Sequence, residues 1–243
     1  MGIFAILCIV LLSVTIHETG HFLVAKKFDY AIDEFSVGMG PKLIQKTKNG
    51  IAYTIRLLPL GGYVSFSEKS ENKRCLSEPS WSKFIVLIMG VIFNILLSIL
   101  MCTIVYGILG YDFFRSIYGG ICLVWYFISN IFGSLSQLVS LDSYGSIVVL
   151  ADSTNTYVGM ASNSQEAMIY ILLIGAIFNI SIAFMNLLPL PILDGGQIVI
   201  NAVELVIKKC ISPKVKIAAN CICWALVMAF SVFLIFRDIA NLV

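Results

Sequence analysis

The sequence predicts an α-helical integral membrane protein: four transmembrane helices, with a small membrane-associated β-hairpin or β-sheet element between the first and second. Three observations carry this. Of 243 residues, 59% are hydrophobic and 12% are charged, with a mean hydropathy of +0.94, whereas a soluble domain is about half apolar and a quarter charged. Four apolar stretches, about 3–25, 84–107, 168–188 and 217–236, are long enough to cross roughly 30 Å of hydrocarbon. Lys and Arg are gathered into blocks between those stretches.

The blocks predict topology. Ten Lys and Arg lie from Lys26 to Lys83, one (Arg115) lies in 109–167, and four (Lys208, Lys209, Lys214 and Lys216) lie in 189–216. The positive-inside rule then places 26–83 and 189–216 in the cytoplasm, and 109–167 with both termini outside. A fifth apolar stretch, 117–139, is interrupted by Gly119, Gly120, Asn130, Gly133, Ser134, Ser136 and Gln137. If it crossed the membrane, the two basic blocks would fall on opposite sides. It therefore reads as a helix on the outer face or in the interface, with a span or re-entrant element as the alternative. The first apolar run reads as a retained span rather than a signal peptide, because no basic residue precedes Lys26 and no small-residue cleavage site follows.

Between the first two spans the pattern changes. Residues 32–37, 42–46, 51–57 and 63–66 are short β-rich runs bounded by turn signals at 38–41, 48–50 and 59–62. Asn49-Gly50 between two such runs is a two-residue hairpin signal. The cytoplasmic β-element is thus 31–66, and the polar stretch 67–80 reads as an exposed linker. The whole chain, 1–243, reads as a single membrane-embedded domain, with 110–165 as its extracytoplasmic segment. Seven scattered cysteines without a CxxC pair suggest apolar filler rather than a disulfide framework. The basic patch 208–216 suits anionic lipid, and nothing points to nucleic acid.

The chemistry lies in His17-Glu18-Thr19-Gly20-His21, which holds the only two histidines of the chain. Imidazoles four apart on a helix share one face, at the spacing a zinc ion needs, with the intervening glutamate able to act on a water. Ionisable groups inside a span are costly and mark function. A catalytic zinc takes three protein ligands and keeps one position open. With no third histidine, the third ligand must be a carboxylate or a cysteine. The best-placed acid is Asp194, within Asn186-Leu-Leu-Pro-Leu-Pro-Ile-Leu-Asp194-Gly195-Gly196. Two prolines beside two glycines break the helix there, at a depth where irregular backbone must be buried in protein or face a cavity. The plainer alternative for Asp194 is a helix N-cap.

HETGH in the first span, with Asn-x-x-Pro-x-Pro-x-x-Asp-Gly-Gly at the end of the third, resembles the site-2 protease family of intramembrane zinc metalloproteases. Glu34-Phe-Ser-Val-Gly-Met-Gly40, Leu58-Pro-Leu-Gly-Gly-Tyr-Val64 and Gly90-Val-Ile-Phe-Asn94 are similar to runs of its bacterial regulator-of-sigma-E protease group. In that group the last run has Pro after its Gly. Residues 141–148 stand where the group has another short run, but depart from it. The resemblance implies one zinc per chain, ligated by His17, His21 and Asp194, with Glu18 as general base. It implies that Asn186 binds substrate backbone or the oxyanion. Asn94 joins the substrate-binding set, with an interhelical hydrogen bond as its alternative role. It also implies that Gly38, Gly40, Gly61, Gly62, Tyr63 and Val64 clamp substrate as an added strand. The expected activity is an endopeptidase that cuts transmembrane segments of single-span proteins or remnant peptides. Its expected place is the bacterial plasma membrane, with the active site toward the cytoplasm. The alternative is a catalytically silent scaffold or chaperone for transmembrane helices. One departure is expected: the interval 110–167 is too short for the PDZ domains the group usually carries.

Overall fold

In the computed structural model the described residues are 2–67, 74–75, 78–135, 161 and 163–242. They form α1 (Gly2–Lys27), β1 (Ile32–Lys48), β2 (Ile51–Phe66), α2 (Trp81–Ile108), α3 (Phe113–Leu135), α4 (Ser164–Leu187), α5 (Asp194–Ile207) and α6 (Pro213–Leu242). Among them, four helices are long and apolar enough to cross a membrane: Phe4–Lys27, Trp81–Ile108, Ser164–Leu187 and Pro213–Phe233. These are the four expected spans, and the chain is a multi-pass membrane protein. The expected run at 141–148 lies outside the described residues.

The chain divides into two compact units. The first comprises Leu7–Leu97 and Ile182–Ile211. In it, α1 is apolar on every side, as a helix in lipid must be. Two of its hydroxyls bond back one turn, Ser13 to the Ile9 carbonyl (2.7 Å) and Thr19 to that of Thr15 (2.6 Å). Lys26 and Lys27 close its last turn, where cations complement the helix dipole. Helix α2 packs antiparallel on α1 at very close range. A Cβ added to Gly20 would meet the Met89 carbonyl oxygen at 2.6 Å.

The four β-rich runs of the sequence are two long bent strands. β1 and β2 pair antiparallel, and the Lys48↔Ile51 pair closes the expected Asn49-Gly50 turn. Both turn residues have positive φ (53° and 78°), as a type I′ turn requires. The turn signals at 38–41 and 59–62 are bends within the strands, with Gly38, Gly40 and Gly61 at φ of 85°, 82° and 100°. Because both strands bend, residues 34–37 sit between the two arms of β2. Phe35 pairs with Val64 and Tyr53, and Ser36 pairs with Tyr63 and Thr54. Phe22, Ala25, Tyr30, Ile32, Ile51 and Val86 form the core that fixes this sheet to α1 and α2. The Phe22 ring lies 5.0 Å from Phe35 and 5.9 Å from Tyr53.

The expected linker is held at two described points. Arg74 bridges to the chain end of α1, its N–H donating to the Asp29 carbonyl (3.0 Å) and its carbonyl accepting from Ala31 (2.9 Å). Asn201 of α5, fully buried, accepts from the Ser80 N–H (3.1 Å) and donates to the Ser80 carbonyl (3.0 Å). An amide side chain that mimics a strand partner in this way cannot be recognised from composition alone. Glu204, one turn on, is fully buried and accepts from the Ile211 N–H at 2.7 Å.

The second unit comprises Met1–Ile6, Ser98–Ser181 and Ser212–Val243. Here α2 and α4 run antiparallel. Ser98 donates to the Ala176 carbonyl (3.0 Å), and Gln165 donates to the Ile108 carbonyl (3.1 Å). α3 starts at Phe113, a turn earlier than expected, and lies back along α2. Added Cβ atoms at Gly119 and Gly120 would meet Tyr106 and Thr103, with the Ile99 carbonyl at 3.1 Å from the second. These glycines, which at first read as interruptions of an apolar run, are where the two helices touch. α6 begins at Pro213, a position that suits proline at the first helical turn.

Replacing Asn201 with Leu strips both partners from the Ser80 backbone. The expected loss is about 1–3 kcal/mol of stability, the cost of leaving buried polar groups unpaired. Thermal unfolding in detergent should show a midpoint below that of the unaltered protein, and an unchanged midpoint would rule out this anchoring role.

Candidate metal centre

Three acceptor atoms from two helices converge at one point. Asp194 Oδ2 lies 2.9 Å from His17 Nε2 and 3.2 Å from His21 Nε2, and the two Nε2 atoms are 3.2 Å apart. Both histidines are buried, with rings nearly perpendicular (86°) and centroids 4.7 Å apart. The His21 Nδ1 is 2.8 Å from the Val86 carbonyl. A carbonyl only accepts, so Nδ1 carries the hydrogen and Nε2 presents a lone pair. Asp194 Oδ2 is buried and receives no hydrogen bond, although it faces two ring nitrogens. Such a cluster of facing lone pairs calls for a cation. Ligands about 2.0–2.1 Å from a tetrahedral zinc are separated by about 3.3 Å, close to the three distances found. His17, His21 and Asp194 are together the metal-ligand cluster found among the described residues.

The two histidines sit four residues apart on α1, as the sequence requires. Asp194 is held by a different device. α4 ends at Leu187, and the chain folds tightly through Pro189 and Pro191 into α5. The Leu193 N–H donates to the Leu190 carbonyl (2.8 Å), and the Gln197 side chain donates to the Pro191 carbonyl (2.6 Å). Cβ atoms at Gly195 and Gly196 would run into the Leu187 and Leu190 carbonyls, so only glycine allows so close a fold-back. The N-cap of α5 is Leu193, without a side-chain cap. Asp194 is therefore the first helical residue rather than the cap, and its carboxylate points at the histidines.

Helix α2 supplies what the motifs do not show. Val86, Gly90 and Asn94 lie four apart on one stripe of it. Besides the Val86 carbonyl on His21, a Cβ at Gly90 would enter the space between the two imidazoles, 2.6 Å from His17 Cε1. Asn94 is fully buried, with its side-chain amide 3.4 Å from His17 Nδ1.

Glu18 borders the same centre. Its Oε2 accepts from the Val64 N–H at 3.1 Å. A cavity of about 200 Å³ is lined by Glu18, His21, Val64, Phe66, Val86, Leu87 and Asp194. Of the residues expected to contact substrate, Val64 is thus on the cavity wall, and Gly62 lies close enough that a Cβ would be 3.7 Å from Glu18 Cγ. Tyr63 faces Arg56, whose guanidinium stacks on its ring and binds its hydroxyl. Arg56 also donates to Ser36 Oγ (2.9 Å), the Gly40 carbonyl (2.8 Å) and Glu34 Oε1 (3.0 Å). It ties the 38–40 bend to the Val64 arm, a role invisible in a block of basic residues. Gly38 and Gly61 are strand bends packed against the Leu58 carbonyl and the Met39 side chain. Asn186 is half-buried on the last turn of α4.

The sequence profile of Peptidase family M50 matches residues 5–230. A candidate zinc metalloprotease of Fusobacterium nucleatum is 35% identical over 103 residues, covering 41% of this chain and 30% of that protein. One of Chlamydia pneumoniae is 38% identical over 109 residues, covering 38% of this chain and 18% of that protein. One of Streptococcus pneumoniae is 49% identical over 65 residues, covering 26% of this chain and 16% of that protein. The matched stretches thus span less than a third of each relative's length.

Gly90→Ala should abolish stoichiometric metal binding, because the new methyl occupies the space between the imidazoles. Gly107→Ala, on the same helix with open space around it, should leave binding intact. Metal content per chain after gel filtration measures both, and a Gly90→Ala protein that keeps its metal would refute the clearance argument.

Proposed function

The chain belongs to peptidase family M50, and from that we propose that it is an intramembrane zinc endopeptidase. Its substrates would be transmembrane segments of single-span proteins or membrane-embedded remnant peptides. The observation that carries the reading is the convergence of His17, His21 and Asp194 beside Glu18, in a bundle apolar enough to exclude bulk water. Their donor set of two imidazoles and one carboxylate suits zinc. A zinc ion held there supplies Lewis acidity toward a carbonyl oxygen and a water.

The chain's own residues supply the rest. Glu18 takes a proton from the attacking water and returns it to the leaving amine, a general acid–base role. The Val64 N–H holds one of its carboxylate oxygens and so fixes its rotamer beside the cavity. A helical substrate hides its carbonyls in i→i−4 bonds, so the scissile bond must first be unwound. The 62–66 arm of β2 pairs with β1 along one edge, and its Val64 N–H faces Glu18 on the other. An unwound segment laid along that edge as an added strand brings its backbone to the cavity. Phe66, Val86 and Leu87 make the cavity wall apolar, which suits the side chains of a transmembrane segment.

The antiparallel packing of α1 on α2, and of α2 on α4, supports the alternating topology read from the basic blocks. We place the protein in a bacterial plasma membrane, with the metal centre toward the cytoplasmic side and both termini extracytoplasmic. The basic 26–83 and 189–216 blocks would then face anionic lipid.

Glu18→Gln should retain one zinc per chain yet cut at least about 100-fold more slowly, the lower range for a lost general base. Incubation with a panel of single-span substrates in liposomes, read by mass spectrometry of the fragments, measures this. Equal cutting by both proteins, or none by either while both bind substrate, would end the protease reading. His17→Ala, His21→Ala and Asp194→Ala should each lose the zinc, and an Asp194→Ala protein that keeps it would end the ligand assignment.

A further inference from the structure

We infer that Asn94 is a positioning residue for His17 rather than a substrate contact: its side-chain carbonyl accepts the Nδ1 hydrogen of that ring and holds Nε2 on the metal. The inference rests on the zinc reading above. His17 turns Nε2 toward Asp194 Oδ2 (2.9 Å) and His21 Nε2 (3.2 Å), so Nε2 is its ligand atom. A neutral imidazole that ligates through Nε2 carries its hydrogen on Nδ1 and needs an acceptor there. The group facing Nδ1 is the Asn94 amide, whose Nδ2 lies 3.4 Å away. Oxygen and nitrogen of an amide exchange by a half-turn, and the orientation that presents oxygen satisfies the ring.

The other histidine shows the same arrangement from the same helix. His21 gives its Nδ1 hydrogen to the Val86 carbonyl at 2.8 Å. Val86 and Asn94 are two turns apart on one stripe of α2, with Gly90 between them leaving room for both rings. The perpendicular rings direct their Nδ1 atoms in opposite directions along that stripe, one toward each partner. At the Val86 end a backbone carbonyl serves, while at the other end the acceptor must come from a side chain. Position 94 is fully buried, so a substrate could reach it only if α1 and α2 separated. A neutral acceptor also suits the charge of the centre. One divalent cation balances the carboxylates of Asp194 and Glu18, and a third carboxylate would leave a net negative charge in the bundle.

The test compares Asn94→Leu, which keeps the size and removes the acceptor, with Asn94→Asp, which keeps an acceptor. Both are made in the full-length Glu18→Gln protein in detergent, so turnover does not enter. Zinc affinity is read by competition with a chromophoric chelator, alongside thermal unfolding of the metal-free protein. Asn94→Leu should weaken zinc binding about 10–100-fold, the usual effect of removing a partner behind a ligand. Asn94→Asp should lose less than about 10-fold, the lower end of that range. In zinc-loaded parent protein, ¹⁵N spectra should show the His17 hydrogen on Nδ1. Unaltered zinc affinity in Asn94→Leu, with KM alone raised when Glu18 is restored, would return Asn94 to the substrate-binding set. Equal loss of zinc by Leu and Asp variants, with equal loss of thermal stability, would reduce it to a packing residue. A parent protein that binds no zinc would overturn the metal reading itself, which separates that failure from this one.

Discussion

The structure depends on bringing three ligand atoms from two helices to one buried point. Two imidazole nitrogens and a carboxylate oxygen lie 2.9–3.2 Å apart, away from water, where an unpaired charge costs several kcal/mol. No local preference of α1 or α5 would produce this. It is imposed by packing: the glycine contacts of α1 on α2, the tight Pro–Gly turn ahead of Asp194, and the sheet core on Phe22 and Val86. Such a site offers a divalent cation three ligands already in place, and binding energy of that kind is also folding energy.

The same packing explains why the sheet lies where it does. β1 and β2 are fixed by an aromatic contact to α1 through Phe22, the residue after His21, so the sheet edge and the histidines are held together. Val64 reaches Glu18 because Phe22, Phe35 and Tyr53 set the height of the sheet, and because Arg56 ties the strand bends together. A helix in lipid satisfies its own backbone. A strand edge does not, and on the proposed activity it would offer the pairing groups that an unwound substrate loses. On the proposed activity, the sheet edge and the metal centre would take two halves of one task, exposing a carbonyl and attacking it.

Much of this was legible in the sequence because it depends on side-chain chemistry at fixed spacing. Two histidines four apart in an apolar run specify a shared face. Two prolines and two glycines around an aspartate specify a broken helix that can present a carboxylate. The four spans follow from length and composition, and the hairpin from Asn49-Gly50. What the sequence did not disclose rests on backbone and clearance. Any residue at 86 has a carbonyl, so nothing marks Val86 as the partner of His21. Gly90 was visible within a motif, but its use as empty space between two rings appears only when α1 is packed against α2. Residues 38–41 and 59–62 carry strong turn signals and yet are bends inside longer strands, since positive φ at glycine serves either purpose. Asn201 and Arg74 looked like ordinary polar residues until the backbone groups they satisfy were in place.

Asp194 shows how far such constraints reach. An aspartate at the start of a helix ordinarily caps it, accepting from the free N–H groups of the first turn. Here the cap position falls on Leu193, and the carboxylate is one residue inside the helix, turned away toward α1. The helix dipole still favours a negative charge at this end, which lowers the penalty of a carboxylate in the bundle while the metal is absent. The two glycines that follow are poor helix formers, yet the Leu187 and Leu190 carbonyls leave no room for a Cβ. The turn thus gives up a side-chain cap and good helix propensity in its first turn. In return it gains one geometry, a carboxylate oxygen held 2.9 Å and 3.2 Å from two imidazoles. A sequence that breaks its local rules in so small a space, and recovers only a metal-ligand position by doing so, is one whose conformation is set by the chemistry of the site.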